Sequence, residues 1–246
     1  MESIAKLYEA AQRPTSKYDT YYYAYDELFA PYRGKDITFV EIGIQGGGSM
    51  EVWKKYFGEN ARVIGIDLNP VIQKELQEDG FEVFVGDQSS EDFWKQFFEE
   101  VGPVDILLDD GGHTNFQTKS TIQYCIDQIN DGGMLVIEDT HASYMKKFGN
   151  PSSDSLISYT KEIVDLVNGR SSRIDKKMKD EHGYASKVHS VQYFESIVAL
   201  RVNRELSHTS NKTNYGDTNN LSIKAVPEDF RYEGIEKKPK KKGWFS

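Results

Sequence analysis

The sequence predicts an α/β protein with a doubly wound, mainly parallel, Rossmann-like sheet that ends in an antiparallel C-terminal hairpin. Five short apolar segments alternate with helical patterns between residues 36 and 140. These segments are almost continuously apolar, which is typical of parallel strands that helices cover on both faces. Two further strand-like segments, 188–194 and 197–202, are separated only by Glu195-Ser196, and this spacing predicts the hairpin.

Each of the five parallel strands is predicted from a run of β-branched or aliphatic residues. The predicted strands are 38–44, 62–67, 82–87, 104–109 and 134–139. Right-handed crossovers between successive parallel strands then favour the doubly wound arrangement.

The connecting helices are predicted from apolar periodicity and from capping residues. Ser49 is expected to cap the first helix after the sheet begins, and Ser89 or Ser90 a later one. A further helix is predicted over about residues 115–129, closed by Asn130-Asp131-Gly132-Gly133.

The chain divides into three predicted parts. Residues 1–35 are expected to form a helical arm, residues 36–203 the main domain, and residues 204–246 a polar extension with a basic tail. The tyrosines at 18, 21, 22, 23 and 25 are expected either to cover a ligand from the arm or to pack in the core or an interface. The basic run at 238–242 is interpreted as a solvated tail.

Composition excludes several classes of protein. A net charge of −9 over 246 residues argues against a broad nucleic-acid surface, which requires a basic face. No apolar run approaches the ~20 residues that cross a bilayer, and the N-terminus lacks the apolar segment of a signal peptide. A cytoplasmic location is therefore expected. The one cysteine, Cys125, cannot form an intrachain disulfide and is expected to be buried.

A glycine-rich loop follows the first predicted strand. Residues 41–49 read Glu-Ile-Gly-Ile-Gln-Gly-Gly-Gly-Ser, and glycine permits both positive φ and close approach of the backbone to a ligand. Asp67 ends the second strand, where an acid can hydrogen-bond ribose hydroxyls, and Gly86-Asp87-Gln88 ends the third. Because the carboxyl ends of parallel strands meet at one edge, these groups predict an adenosine-containing ligand.

The glycine spacing does not match the dinucleotide pattern G-x-G-x-x-G. Glu41, two residues before the first glycine, suits the cationic amino-acid part of a ligand such as S-adenosylmethionine. The alternative is that Glu41 and Asp67 only cap loops, although acids at apolar strand ends are costly to desolvate without a partner.

A second polar cluster is predicted at the ends of the fourth and fifth strands. Asp109-Asp110-Gly111-Gly112-His113 and Glu138-Asp139 would bring four acids and an imidazole to one edge of the sheet. Facing acid pairs without a cation are unfavourable, and carboxylate oxygens suit Mg²⁺ or Ca²⁺. Alternatively, His113 only hydrogen-bonds its loop and Glu138-Asp139 only ends a strand.

Over residues 36–140 the chain resembles the class I S-adenosylmethionine-dependent methyltransferases. The matching residues are Glu41-x-Gly43-x-x-Gly46-Gly47-Gly48-Ser49, Asp67 and Gly86-Asp87-Gln88. The resemblance implies that Glu41, Gly43, Gly46, Gly47 and Ser49 line the methionine part of S-adenosylmethionine. It further implies that Asp67 holds the ribose hydroxyls and that Asp87 with Gln88 borders the adenine. Asp109 is assigned to the cofactor side.

Within that class, residues 109–113 with Glu138-Asp139 resemble the metal-dependent macrolide sugar O-methyltransferases of the mycinamicin and macrocin type and the cephalosporin hydroxylase-like proteins. The resemblance implies that Asp110, Glu138 and Asp139 bind Mg²⁺ and that His113 is the general base. Gly112 stands where that group usually has serine. A hydroxyl is a very weak acid, so metal chelation and a base that titrates near neutral pH would both assist methyl transfer.

The expected function is therefore S-adenosylmethionine- and Mg²⁺-dependent O-methylation of a hydroxyl on a sugar or sugar-like substrate, in a capsule, lipopolysaccharide or natural-product pathway. The alternatives are a catechol-type O-methyltransferase, a nicotinamide-dependent oxidoreductase and a non-catalytic nucleotide-binding module. The expected partner is a small-molecule sugar conjugate, with no nucleic acid and no membrane span. The aromatic N-terminal helix could support a homo-oligomer, and residues 140–190 are expected to set specificity.

Overall fold

The computed structural model describes residues 2–148, 153–171, 174 and 178–208. Seven strands form one sheet. In chain order they are β1 (Thr38–Ile42), β2 (Arg62–Asp67), β3 (Glu82–Val85), β4 (Val104–Asp109), β5 (Ile129–Ile137), β6 (Val188–Phe194) and β7 (Ile197–Val202). All seven strands foreseen from the sequence are present, and their bounds differ mainly at the ends of β1, β3 and β5.

Helices connect the strands and precede the sheet. They are α1 (Ile4–Glu9), α2 (Asp19–Phe29), α3 (Gly48–Phe57), α4 (Pro70–Glu78), α5 (Glu91–Val101), α6 (Asn115–Cys125) and α7 (Leu156–Asn168). Ser90 caps α5 by accepting a hydrogen bond from the backbone N–H of Phe93 at 3.2 Å.

The strand order is β3-β2-β1-β4-β5-β7-β6. Strands β1 to β5 are parallel, and β7 inserts antiparallel between β5 and β6. This arrangement confirms the predicted doubly wound sheet with an antiparallel C-terminal hairpin. The order reverses between β1 and β4, and ligands of open α/β sheets bind at the carboxyl ends of the strands that flank such a reversal.

Two apolar layers cover the sheet, one on each face. Helices α1 to α4 contribute to one layer, in which Trp53 is fully buried among aromatic rings that include Tyr25 and Phe29 of α2. Helices α5 to α7 contribute to the other, in which Trp94 and Phe97 are buried. The N-terminal arm is therefore part of the core, because its tyrosines and phenylalanine bury apolar area against α3 and the sheet.

The structure corrects the predicted end of the helix before β5. Asn130-Asp131-Gly132-Gly133 does not close that helix but lies inside β5, which already begins at Ile129. The pairing of β5 with β4 shifts register between Val104 and Ile106, and a Cβ on Gly133 would lie 2.2 Å from the carbonyl oxygen of Asp105. The two glycines therefore lie where the pairing of β4 with β5 is irregular, and a side chain at Gly133 would clash with β4.

Ser49 does not cap α3, although the sequence favours it for that role. Gly47 occupies the N-cap in a left-handed conformation, and Ser49 is buried in the first turn. Its hydroxyl is used elsewhere, because it donates a 2.6 Å hydrogen bond to Glu41.

The remaining predictions about the chain fall partly outside the described residues. Cys125 is fully buried, as expected. Among the described residues, no helix combines the length and the apolar character that a membrane crossing requires. The basic tail at 238–242 and most of the polar extension lie outside the described residues.

Candidate active site

A cavity of about 770 Å³ opens at the carboxyl edge of the sheet, over the reversal between β1 and β4. It is lined by residues of the N-terminal arm and by the loops that follow β1, β2, β4 and β5. The described lining residues are Ser16, Lys17, Tyr18, Tyr21, Gly43, Gln45, Asp67, Asn69, Asp110, Gly111, His113, Glu138 and Asp139.

A smaller cavity of about 200 Å³ adjoins the first. It lies over the ends of β1, β2, β3 and β4, and Gly43, Asp67 and Gly111 line both cavities. Its other described lining residues are Ile42, Leu68, Gly86, Gln88 and Gly112. The two cavities therefore form one cleft, in which Asp67 marks the junction.

The loops after β1 and β4 touch at Gly43. Its φ is +83°, and a Cβ at this position would lie 2.2 Å from the carbonyl oxygen of Asp110. The backbone N–H of Asp110 in turn donates a 3.0 Å hydrogen bond to the carbonyl oxygen of Ile42. This contact fixes the loop that carries Asp110 against the end of β1.

Gly43→Ala is expected to destabilise the protein by about 2–4 kcal/mol, because it adds an overpacked contact to the cost of a left-handed alanine. The free energy of unfolding in urea measures this loss. Gly80→Ala is the matched control, since Gly80 also has positive φ (+79°) but a methyl group there would meet no atom within 4 Å. Equal losses in the two variants would show that the contact with Asp110 contributes nothing.

Asp67 is held by the backbone around it. Its carboxylate accepts hydrogen bonds from the N–H of Gln45 at 3.2 Å and from the N–H of Asn69 at 2.9 Å. The side chain is partly exposed and faces both cavities, so it can accept further hydrogen bonds from a ligand.

Glu41 lies beneath the cleft and is not among its described lining residues. One carboxylate oxygen accepts from Ser49, while Oε1 has no hydrogen-bond partner among the described residues and lies 3.7 Å from Nζ of Lys17. Burial raises the pKa of Glu41 to about 6.

Gly46 and Gly48 contact the N-terminal arm, whereas Gly47 faces Leu76 of α4. A Cβ on Gly46 would lie 2.9 Å from the carbonyl oxygen of Pro14, and a Cβ on Gly48 would lie 2.4 Å from that of Arg13. Of the described loop residues 43–48, only Gly43 and Gln45 line the larger cavity. The assignment of Gly46 and Gly47 to the cofactor thus stays a prediction.

Asp109 and Gln88 form a buried polar pair behind the loop 109–113. Nε2 of Gln88 donates to both carboxylate oxygens of Asp109, at 3.0 and 2.9 Å, and Oε1 of Gln88 accepts from Gly112 at 2.8 Å. Asp109 also accepts from the N–H of Gly111 at 3.0 Å, and burial raises its pKa. Asp109 therefore holds the loop in place by hydrogen bonds from its buried side. Gln88 also lines the smaller cavity. Asp87 is exposed and accepts hydrogen bonds from Ser89.

Asp110, His113 and Asp139 converge in the larger cavity. One possible ligand atom from each lies within 4.8 Å of the others, and Nε2 of His113 is 3.5 Å from Oδ2 of Asp139. Each side chain is about a fifth to a quarter exposed, so the group is open to the cavity. Two carboxylates and an imidazole at this spacing can bind a divalent cation.

Glu138 also lines the larger cavity, but its side chain is buried and it is not part of this group. It accepts hydrogen bonds from the hydroxyl of Tyr25 and from Nζ of Lys17, the latter at 2.7 Å. Burial is the main cause of its raised pKa, which lies at about 8. The next residue, Asp139, has φ of +52° and turns back toward the cavity, where the hydroxyl of Tyr21 donates to it at 2.5 Å.

Lys17 is a site residue that sequence reasoning missed. It lies between α1 and α2, and its side chain is only 4% exposed. Besides Glu138 and Glu41, its ammonium group contacts Asp110. Burial acts to lower the pKa of Lys17, but attraction by Glu138 and Asp110 outweighs it and raises the pKa well above its ordinary value. A lone lysine in an irregular segment carries no pattern that could have indicated this position.

Backbone strain is concentrated at the cleft. Four described residues other than glycine have positive φ: Gln45, His113, Asp139 and Ser196. The first three line the larger cavity. Ser196 hydrogen-bonds Nδ1 of His141 at 2.7 Å, and His141 lies 4.0 Å from Asp139. Such conformations persist where the surrounding structure imposes them, which is typical of functional sites.

The strand order, the glycine turn after β1, the acid after β2 and the cleft at the sheet reversal define the Rossmann-like fold of class I methyltransferases. A family model described as "Methyltransferase domain" matches residues 40–140. This match spans the glycine loop, Asp67 and the loop after β4, and it agrees with the resemblance drawn from the sequence motifs.

Curated relatives match between half and two thirds of the chain. A 32% identical match over 59% of this chain is the 8-demethyl-8-alpha-L-rhamnosyl tetracenomycin-C 2'-O-methyltransferase of Streptomyces olivaceus. Demethylmacrocin O-methyltransferase of Streptomyces fradiae is 31% identical over 58%, and mycinamicin VI 2''-O-methyltransferase of Micromonospora griseorubida is 28% identical over 58%. The matches cover 40%, 38% and 38% of those proteins, so this chain spans about two fifths of their length.

A solved structure supports the fold over most of the chain. The methyltransferase MycE of the mycinamycin biosynthetic pathway, in complex with Mg, S-adenosylhomocysteine and mycinamycin VI, superposes with a TM-score of 0.74. The sequences are 21% identical, and the match covers 89% of this chain and 58% of that one.

Proposed function

We propose that the chain is an S-adenosylmethionine- and Mg²⁺-dependent O-methyltransferase that acts on a hydroxyl of a sugar or sugar-like substrate. The observation that carries this proposal is that Asp110, His113 and Asp139 converge in the larger cavity. Asp67, which lines both cavities, lies in the same cleft. The relatives support the substrate class, because they include O-methyltransferases named for rhamnosyl tetracenomycin, mycinamicin and demethylmacrocin.

The cleft suits S-adenosylmethionine. We assign the smaller cavity, with Gly86 and Gln88, to the adenine. The carboxylate of Asp67, which faces both cavities, is assigned to the ribose hydroxyls. The methionine part and its sulfonium would occupy the larger cavity, whose walls include several carboxylates. The buried Oε1 of Glu41, which lacks a hydrogen-bond partner among the described residues, adds a negative charge that favours this cationic ligand.

The acid group suits Mg²⁺. Asp110 and Asp139 provide hard oxygen ligands, and their partial exposure leaves coordination positions for water or substrate oxygens. Glu138, the third ligand implied by the resemblance, would join them only after leaving Lys17. When bound, the ion supplies Lewis acidity that makes a nearby substrate hydroxyl more acidic.

In the proposed reaction, His113 accepts the proton of the acceptor hydroxyl at Nε2. Asp139, 3.5 Å away, stabilises the imidazolium that forms, and the hydroxyl of Tyr21 holds Asp139 in place. The acceptor oxygen then forms a bond to the methyl carbon while the bond from that carbon to sulfur breaks. The electron pair returns to sulfur, so S-adenosylhomocysteine leaves as a neutral thioether.

The surroundings of this reaction also remain proposals. A small-molecule acceptor, rather than nucleic acid, fits the net charge of −9. A cytoplasmic location, a homo-oligomer and control of specificity by residues 140–190 are predictions that follow from the sequence.

Calorimetry is expected to show that S-adenosylhomocysteine binds and that NAD does not. Asp67→Asn should weaken S-adenosylhomocysteine binding by about 10- to 100-fold, because charge-assisted hydrogen bonds to the ribose are lost. Asp36→Asn, at an exposed position before β1, is the control and should bind as the wild type does. Binding of NAD alone would instead favour the oxidoreductase alternative.

The acceptor class can be tested with simple compounds. Methyl transfer from S-adenosylmethionine to methyl α-L-rhamnoside, without transfer to catechol, supports a sugar-directed enzyme. Transfer to catechol alone would favour the catechol-type alternative, and transfer to neither sugars nor catechols would contradict both substrate assignments.

A further inference from the structure

Lys17 is a buried cation that lies among the carboxyl groups of Glu41, Asp110 and Glu138, here called the carboxylate cluster. Its ammonium group contacts Asp110 and Glu138 and lies 3.7 Å from Glu41, in an environment where its side chain is 4% exposed. It reaches this position from the N-terminal arm, more than 90 residues before Asp110. The contact is therefore a tertiary one, made when the arm packs on the sheet.

The charges around Lys17 do not balance. Three carboxyl groups, those of Glu41, Asp110 and Glu138, lie within 4 Å of this one ammonium group, and Asp139 lies near Asp110. Even with Glu138 protonated, as its raised pKa favours at neutral pH, the carboxylates outnumber the ammonium group. Buried charges are stable only when they are paired, so Lys17 stabilises the cluster without neutralising it. The remaining negative charge favours a second cation.

Asp110 is shared between Lys17 and the group that suits the divalent ion. Its carboxylate contacts Lys17 and also belongs to the Asp110, His113 and Asp139 group. A divalent ion bound there would lie close to the ammonium group, and like charges at such a distance repel each other. Glu138 is held by Lys17 and Tyr25 and is not part of that group.

We propose that Lys17 is a positioning residue that sets the affinity of this site for Mg²⁺, because it competes with the ion for Asp110 and Glu138. Loading of the ion would draw Glu138 toward Asp110 and Asp139 and release Lys17 from the cluster. The inference rests on the proposed metal-dependent function. It adds that occupancy of the metal site and docking of Lys17 oppose each other.

Calorimetric titration of the 246-residue chain with Mg²⁺, without other ligands, tests the proposal. Lys17→Met is expected to bind Mg²⁺ about tenfold more tightly than the wild type or better, because the repelling charge is gone. Lys17→Arg should restore an affinity within about threefold of the wild type, since it keeps the charge. Lys6→Met, an exposed change in the same arm, should leave the affinity unchanged.

The outcomes separate this inference from the proposed function. Unchanged or weaker Mg²⁺ binding by Lys17→Met would overturn the competition, because a purely structural role of Lys17 predicts one of those results. Absence of Mg²⁺ binding in the wild type and in every variant would instead overturn the metal-dependent function.

A second measurement uses the wild-type chain and does not depend on the folding of a variant. Reductive methylation of lysines, read by peptide mass spectrometry, reports the accessibility of each amine. Saturating Mg²⁺ is expected to increase modification of Lys17 and to leave exposed Lys6 unchanged. Equal or reduced modification of Lys17 would contradict its release from the cluster.

Discussion

EDTA is expected to lower the rate of methyl transfer by about 10³-fold, and excess Mg²⁺ to restore it. Lewis-acid stabilisation by a bound ion contributes several kcal/mol to the transition state, which corresponds to a loss of this size. The measurement is transfer of a labelled methyl group to methyl α-L-rhamnoside. Binding of S-adenosylhomocysteine should persist in EDTA, because the residues proposed to bind its adenine and ribose are not among the proposed metal ligands. Full activity in EDTA would contradict the metal site.

Asp139→Asn tests the same metal site by removing a proposed ligand instead of the ion. It should lower Mg²⁺ affinity and kcat together, because Asp139 is both a proposed ligand and the neighbour of His113. Asp131→Asn is a matched control at the other end of the same strand, where the carboxylate pairs with Arg204. Wild-type Mg²⁺ affinity in Asp139→Asn would remove this residue from the ligand set.

His113→Asn is expected to lower kcat by about 10²- to 10⁴-fold through loss of the general base. Asparagine is a suitable replacement because His113 has φ of +56°, and asparagine tolerates the left-handed region better than most residues do. The variant should also lose the pH dependence of kcat that a titrating base confers. Steady-state kinetics across pH measures both effects.

Two further measurements define the role of His113. His189→Gln, an exposed histidine on β6, is the control and should keep wild-type kinetics. Mg²⁺ affinity should stay within a few-fold in His113→Asn, since a base is not a ligand. A large loss of Mg²⁺ affinity would assign His113 to the metal instead, and an unchanged kcat would exclude it as the base.

The sheet could be predicted from sequence because its strands carry their own signal. β2, β4, β6 and β7 have the predicted bounds. β2, β4 and β7 are short, mainly apolar runs, and β6 is bounded by the turn at Glu195-Ser196 that the sequence predicts. The end of the helix before β5 could not be predicted in the same way. Glycine pairs mark both helix ends and close strand contacts, and only the approach of Asp105 to Gly133 distinguishes the two.

The candidate site was predictable to the extent that it follows strand ends. Asp67, Asp110, His113 and Asp139 meet at the cleft because parallel strands end at one edge. The burial of each side chain was not predictable: Glu138 and Asp109 are buried and hydrogen-bond Lys17 and Gln88, respectively. Lys17 depends on packing of the arm across more than 90 residues, which local sequence does not encode.

The described positive-φ residues other than glycine have a consequence for engineering. Each of Gln45, His113, Asp139 and Ser196 holds a conformation that costs about 1 kcal/mol or more. Glycine at these positions would relax the backbone, so selection for thermal tolerance alone would favour it. At His113 and Asp139 the same exchange would also remove the side chains proposed to act as base and metal ligand. Glycine at His113 or Asp139 is therefore expected to raise the melting temperature and to lower kcat.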